Sequence, residues 1–219
     1  MRLPNTAAID KVLQVEDYVI QDKSSQEALL KGLSFTNSSS KSTFWDVCAG
    51  AGGKALLLQA LYNNKAKITA TDIRKSILFN LKNRCNTYQI PNIRPMVLDA
   101  TRAQNIQQQL KQQKFDIILC DVPCSGSGTW SRTPEQFYFF DEAFFEQFAH
   151  LQAPIVVNSS EYLNEKGYLI YITCSVFKHE NEAVVEKILS QTSLQLVHQQ
   201  MILGMQDKAD SLFVAIFQK

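Results

Sequence analysis

Two cysteines stand where a thiol could do chemistry. Cys124 lies in the loop Pro-Cys-Ser-Gly-Ser-Gly, residues 123–128, directly after the apolar run FDIILCD; a loop of that composition is poor packing territory. Cys174 closes the run GYLIYITC. On residue type alone it suits either packing or chemistry, because free cysteine is among the most often buried residues. As a thiolate, either would be a strong nucleophile. Cys85 and Cys120 read as packing residues, while Cys48 falls inside a glycine-rich loop. Five cysteines, with no paired Cys-x-x-Cys spacing and no zinc-like Cys/His grouping, argue against a disulfide scaffold or a structural zinc site. No metal site is predicted.

A second set of residues could hold a ligand. Asp72, Asp99, Asp121 and Cys174 each close a predicted strand, and open parallel sheets bind ligands beyond the carboxyl ends of their strands. Five of the eight glycines fall in two loops, DVCAGAGGK at Asp46–Lys54 and SGSG at Ser125–Gly128. Gly50, Gly52 and Gly53 allow close backbone approach just before a helix. Asp72, twenty residues beyond Gly52, can accept hydrogen bonds from both ribose hydroxyls of an adenosine-bearing cofactor. For Asp72 and Asp99 alike, helix capping is the competing role. Asp46 is expected to fix the loop through backbone hydrogen bonds. Lys54 follows the glycines too closely for the GxxxxGK[ST] phosphate cradle, which disfavours ATP hydrolysis. This much leaves a dehydrogenase and a methyltransferase both open.

The elements that must position these residues follow from the apolar pattern. The chain has 219 residues, a formal charge of +1, and 45% hydrophobic and 20% charged residues, the composition of an ordinary globular domain. Ser24 with Glu27 three residues on predicts a capping box opening a helix that ends near Gly32; residues 34–43 read as a polar loop. From Phe44 onward, short apolar runs (44–49, 67–73, 93–99, 115–121, 167–174) alternate with helix-length stretches at 54–63, 75–88 and 102–114. That rhythm predicts βαβ units, a mostly parallel sheet and helices on both faces. The aromatic segment FYFFDEAFFEQF, 137–148, is expected as a buried helix packed on the sheet rather than as a stacking surface for bases, with Pro154 bending or starting the next helix. Residues 193–200 and 211–219 have no helix-length spacer and predict a C-terminal antiparallel hairpin. Five parallel strands followed by such a pair resemble the class I S-adenosylmethionine methyltransferases, an α/β, Rossmann-like, seven-stranded fold.

Two segments carry a narrower resemblance. FDIILCDVPCSGSGTWSRTPE (115–135) and YLIYITCSVFKHENEAVVEKIL (168–189) closely resemble the aspartate-proline-cysteine and threonine-cysteine-serine motifs of the RNA 5-methylcytosine methyltransferases. That family includes the bacterial Sun (Fmu) ribosomal RNA methyltransferases and the eukaryotic NOL1/NOP2/Sun proteins. The similarity begins at VIQDKSSQ and reaches the final strand. It implies catalytic roles for Cys174, Cys124 and Asp121. Cys174 would add to cytosine carbon 6 and so activate carbon 5, Cys124 would assist release, and Asp121 would hydrogen-bond the amino group and ring nitrogen 3. DNA 5-methylcytosine enzymes use the proline-cysteine thiol as nucleophile; Thr173-Cys174-Ser175 marks the RNA type. Amino-methyltransferases carry Asp/Asn-Pro-Pro-aromatic there, which Val122-Pro123-Cys124 does not fit.

The same resemblance implies S-adenosylmethionine as cofactor, held by Cys48, Ala49, Gly50, Ala51, Gly52, Gly53 and Lys54, with Asp72 on the ribose, Asp99 on the adenine side and Asp121 at the methionine end. The family loop reads Cys-Ala-Ala-Pro-Gly-Gly-Lys, so Gly50 and Ala51 depart from it. Loss of the proline is expected to loosen the loop. Arg132 matches a basic position that could meet an RNA phosphate. Residues 1–219 are expected to form one catalytic domain, with 1–18 irregular and the upstream RNA-binding region of bacterial relatives absent. The expected partner is an RNA substrate, ribosomal by preference, bound weakly by this chain alone because a charge of +1 neutralises few phosphates. MRLPNTAAID lacks the apolar core of a signal peptide, and no apolar stretch is long enough to span a bilayer, so a cytoplasmic monomer without membrane contact is expected. The rivals are a nicotinamide-dependent oxidoreductase and a non-catalytic RNA-binding or assembly module.

Overall fold

A computed structural model describes residues 11–219. The first ten residues of the segment expected to be irregular lie outside that range; the rest of it includes a short 3-10 turn, Val15–Asp17. Seven strands form one sheet: β1 (Thr43–Asp46), β2 (Lys67–Asp72), β3 (Ile93–Val97), β4 (Phe115–Asp121), β5 (Leu163–Thr173), β6 (Gln195–Ile202) and β7 (Leu212–Gln218). Their order is β3-β2-β1-β4-β5-β7-β6. The first five are parallel, while β7 inserts antiparallel between β5 and β6. The expected parallel unit with an antiparallel C-terminal pair is the observed architecture.

Helices α1 (Lys23–Ser34), α2 (Gly53–Leu61), α3 (Lys75–Thr87), α4 (Ala103–Leu110), α5 (Pro134–Tyr138), α6 (Ala143–Ser160) and α7 (Glu182–Gln191) complete the chain. The sheet separates two apolar layers because alternate residues of a strand face opposite sides. Ile118, Cys120, Leu169 and Tyr171 point into a layer shared with Ile106 and Leu110 of α4, Val156 of α6 and Ile188 of α7. Ile117, Leu119, Ile170 and Ile172 point the other way, against Leu29 of α1, Leu58 of α2 and Leu81 of α3. Each fully buried aliphatic or aromatic side chain is worth roughly 1.5–3 kcal/mol, so these two-faced strands anchor the fold and fix where their ends lie.

Three local expectations need correction. Helix α1 is capped by Asp22, whose Oδ1 accepts from the N–H groups of Ser24 and Ser25, not by Ser24; a carboxylate two residues earlier offers the stronger acceptor. The aromatic segment is not a buried helix. It breaks between α5 and α6, and Phe137, Tyr138 and Phe139 are 67%, 81% and 73% exposed. Of the two roles expected for Pro154, starting a helix is excluded, because it lies inside α6. Among the described residues no helix is long and apolar enough to cross a membrane, and no group of His, Cys, Asp or Glu is placed to hold a metal ion.

Candidate active site

The loop between β1 and α2 is shaped by backbone bonds to its neighbours. Val47 donates to Leu119 O, Ala49 to Thr71 O, and Gly52 back to Ala49 O. Gly52 has φ 83°, and a Cβ there would lie 2.2 Å from Leu81 Cδ1, so the turn into α2 requires glycine. At the end of β2, Asp72 accepts the Gly50 N–H at 3.0 Å and three bonds from Arg74: the backbone N–H at 2.9 Å, Nε at 3.0 Å and Nη2 at 3.0 Å. Burial alone would raise its carboxyl, but the bonds from Arg74 and Gly50 outweigh burial and hold it below the ordinary carboxylate value. Leu98 donates to Asp72 O, which brings the end of β3 alongside. Asp99, however, turns to its own chain: its Oδ1 accepts from Thr101 N (3.0 Å) and Oγ1 (2.6 Å), and Arg102 Nε is 3.2 Å from Oδ2. These bonds tighten the turn ahead of α4 without capping it, since the N-cap of that helix is Arg102 and has no side-chain cap bond. Burial pushes the Cys48 thiol up, so this cysteine offers the loop no thiolate.

Asp46 departs from expectation. Its side chain makes no loop-fixing bonds; it is 1% exposed, and neither carboxylate oxygen has a hydrogen-bond partner among the described residues. Burial first, then the charges of Asp121 and Asp72 against the opposing pull of Lys54, push its carboxyl up to about 7. A buried carboxylate without donors is costly, and a cation in this acidic pocket would relieve it. That suits a sulfonium cofactor bearing positive charge, with the Gly50–Gly53 backbone and Asp72 beside it.

Lys54, in the first turn of α2, places Nζ 2.5 Å from Asp121 Oδ2 and 3.3 Å from Ser25 Oγ. Burial pulls its ammonium down, but Asp121 more than restores it, and Lys54 stays above the ordinary lysine value. The sequence placed Lys54 only in the cofactor loop; the structure joins it to the end of β4.

The two cysteines meet beside this pair. Cys124 Sγ lies 3.3 Å from Cys174 Sγ, and both thiols are free. The hydrogen bond from Cys124 outweighs burial and holds the Cys174 thiol below the ordinary value, with Asp121 opposing and Lys54 helping. The same bond, together with burial, pushes Cys124 well up. The geometry is therefore a thiolate-prone sulfur with an S–H donor beside it and a lysine–carboxylate pair close by. It can add to an electron-poor carbon.

A polar network that sequence reasoning missed holds the two thiol loops. Glu180 and Asn181, between β5 and α7, are fully buried. Glu180 accepts from Ser125 N (2.8 Å), Ser125 Oγ (2.5 Å), Ser175 Oγ (2.5 Å) and Gln152 Nε2 (3.2 Å). Gln152 also donates to Pro123 O at 2.9 Å, and Asn181 bridges Thr173 Oγ1 and Ser175 O. Gly128 N–H donates to Cys174 O at 2.9 Å, and a Cβ on Gly128 would lie 1.8 Å from Ser211 O. The only signal for Glu180 and Asn181 was a polar pair just before an apolar helix. Arg132, whose side chain is 61% exposed, makes a two-pronged ion pair with Asp210, Nε–Oδ1 2.7 Å and Nη2–Oδ2 2.8 Å. Outside these loops, Trp130, Phe140 and Phe177 pack ring on ring.

A family model for the 16S rRNA methyltransferase RsmB/F matches residues 34–217. The chain belongs to this family. Among its relatives, the probable ribosomal RNA small subunit methyltransferase B of Bacillus subtilis is 28% identical over 189 residues, covering 86% of this chain and 41% of that one. The 28S rRNA (cytosine-C(5))-methyltransferase of Mus musculus is 30% identical over 156 residues, 69% of this chain and 19% of that one. The crystal structure of NSun6 from Pyrococcus horikoshii superimposes with a TM-score of 0.78 at 22% identity, over 91% of this chain and 52% of that one. This last likeness shows the fold. The chain thus spans less than half the length of these curated relatives. Membership in the family sets the nicotinamide-dependent rival aside.

Proposed function

We propose that this chain is the catalytic domain of an S-adenosylmethionine-dependent RNA (cytosine-5) methyltransferase acting on ribosomal RNA. The observation that carries the reading is the Cys124–Cys174 sulfur pair, 3.3 Å apart, beside the Lys54–Asp121 ion pair. The cofactor supplies an electrophilic methyl group; the Gly50–Gly53 backbone, Asp72 and Asp46 are the residues to hold it, with Asp99 closing the adenine side.

Cys174 is the nucleophile because it is the thiol held below its ordinary value. Its sulfur bonds to carbon 6 of the cytosine, and the electrons of the 5,6 double bond move so that carbon 5 becomes nucleophilic. Asp121, with Lys54 beside it, binds the amino and ring-nitrogen edge and stabilises the adduct as ring nitrogen 3 takes a proton from solvent, which it returns when the ring double bond re-forms. Once carbon 5 carries the methyl group, its remaining proton must leave and the bond from Cys174 to carbon 6 must break. Cys124 suits that step. What keeps it protonated is chiefly its bond to Cys174, and that cause weakens when Cys174 becomes a thioether. Cys124 can then give its proton to solvent and, as thiolate, accept the carbon 5 proton while the Cys174 sulfur departs with its electron pair.

Free thiols suit a reducing compartment, and a cytoplasmic monomer completes the proposal. The test is incubation with S-adenosylmethionine and small-subunit ribosomal RNA, naked and as assembled particle, followed by nucleoside mass spectrometry. Appearance of 5-methylcytidine is expected. Cofactor and RNA binding without 5-methylcytidine in either arm would instead make this a non-catalytic assembly module.

A further inference from the structure

We propose that Glu180 is a positioning residue that sets the spacing of the two thiols, acting through the serine that follows each cysteine. This rests on the two-thiol reading above. The side chain lies midway in a bridge: Ser125, next to Cys124, donates to it twice, from N (2.8 Å) and Oγ (2.5 Å), and Ser175, next to Cys174, donates once from Oγ (2.5 Å). Gln152 completes the set at 3.2 Å and also holds Pro123 O, on the other side of Cys124.

All four groups are donors. An ionised carboxylate is acceptor-only, with about four lone-pair sites, and no neutral side chain matches that demand. An amide in its place would turn an N–H toward one of the hydroxyls and lose an acceptor. A fully buried carboxylate is costly to desolvate, and charge-assisted hydrogen bonds are what offset that cost. The groups that supply them belong to the two loops whose sulfurs must meet. Glu180 touches neither sulfur. It fixes the backbone on the far side of each cysteine, so its loss is expected to move the thiols relative to one another.

Other ties keep the loops joined when Glu180 is changed. Gly128 N–H still bonds Cys174 O, Val176 N–H still bonds Ser127 Oγ at 2.9 Å, and Ser127 Oγ still faces Ser175 Oγ at 3.1 Å. Glu180→Gln therefore tests position more than folding. A Ser125→Ala/Ser175→Ala double variant, which leaves the carboxylate in place, gives the same information should Glu180→Gln fold poorly.

The experiment reads sulfur proximity without substrate. Diamide takes two electrons and two protons from a neighbouring thiol pair, and peptide mass spectrometry identifies the Cys124–Cys174 disulfide formed. The wild-type chain should cross-link readily, and both variants about ten-fold or more slowly. In methyl transfer, kcat should fall by up to about a hundred-fold, the cost of a displacement near 1 Å, while KM for S-adenosylmethionine stays unchanged. Wild-type cross-linking rates in a folded Glu180→Gln or in the double variant would overturn the proposal, as would a wild-type chain that does not cross-link. If cross-linking slows as stated but even the wild type transfers no methyl group, the positioning role stands and the enzymatic reading fails.

Discussion

The sulfurs of Cys124 and Cys174, fifty positions apart in sequence, sit 3.3 Å from each other. One bond between them divides two chemically identical groups into unlike ones, Cys174 drawn toward thiolate and Cys124 held protonated. The division predicts different failures. Cys174→Ala should abolish both methyl transfer and covalent attachment to RNA. Cys124→Ala should still attach but release slowly, so that a protein–RNA adduct accumulates on denaturing gels. The reverse pattern would exchange the two roles.

The same bond predicts a pH effect. Because the Cys124 S–H stabilises the Cys174 thiolate, Cys174 should react with iodoacetamide at lower pH than an ordinary cysteine. Replacing Cys124 with alanine removes the donor, and burial then dominates. The pH profile of Cys174 alkylation, followed by peptide mass spectrometry, should shift upward in Cys124→Ala; an unchanged profile would show that the donor contributes nothing.

Asp46 links pH to stability. Its carboxyl is raised from 3.8 to about 7 in the fold, so the fold favours the protonated form. The stability it contributes is full below about pH 4 and is lost as pH rises through about 7. Asp46→Asn cannot ionise, and should melt increasingly above the wild type across that interval, with a gain of at most about 4 kcal/mol. Calorimetric melts at several pH values decide it. In the same variant S-adenosylmethionine should bind more weakly, since a buried negative charge next to the cofactor loop is gone.

At Asp72, the four hydrogen bonds from Gly50 and Arg74 already fill the carboxylate. Ribose hydroxyls can be accepted only if the Arg74 guanidinium, whose side chain is 63% exposed, swings away. The pair is exposed on its arginine side alone, Asp72 being 4% exposed, so the arginine is the partner free to move. Titration calorimetry should therefore find Arg74→Ala binding S-adenosylmethionine as well as the wild type or up to about five-fold better. Asp72→Ala should lose about ten-fold or more. Weaker binding by Arg74→Ala would mean that the arginine itself serves the cofactor.

The sheet was legible because its strands are buried on both faces and read as unbroken apolar runs; β4, Phe115–Asp121, spans the run predicted for it. The thiol motifs were legible because a Pro-Cys-Ser-Gly-Ser-Gly loop has no packing rationale. What escaped depended on partners distant in sequence. Arg132 finds Asp210 78 positions away, and Glu180 meets Ser125 55 positions away, so neither leaves a local pattern. Asp46 escaped for the opposite reason: its buried oxygens meet no donor, and residue type cannot reveal an unmet bond. The aromatic run at 137–148 resembled core by composition, yet its first three rings face solvent.

The pairing of β4 with β5 acts as a ruler for the chemistry. From Ile117 to Asp121 the ladder matches Tyr168 to Ile172 residue for residue, and its one irregularity falls at the opposite end, where Phe115 pairs with Leu163. A one-residue slip of β5 would carry Cys174 about 3.3 Å along the sheet and reverse the side it faces, as far as the sulfurs now stand apart. Insertions or deletions within residues 164–167 fall in the slack of that bulge and leave the measured end alone. A single residue added between Ile170 and Cys174 does not, and would yield a chain able to fold its sheet yet unable to bring its thiols together.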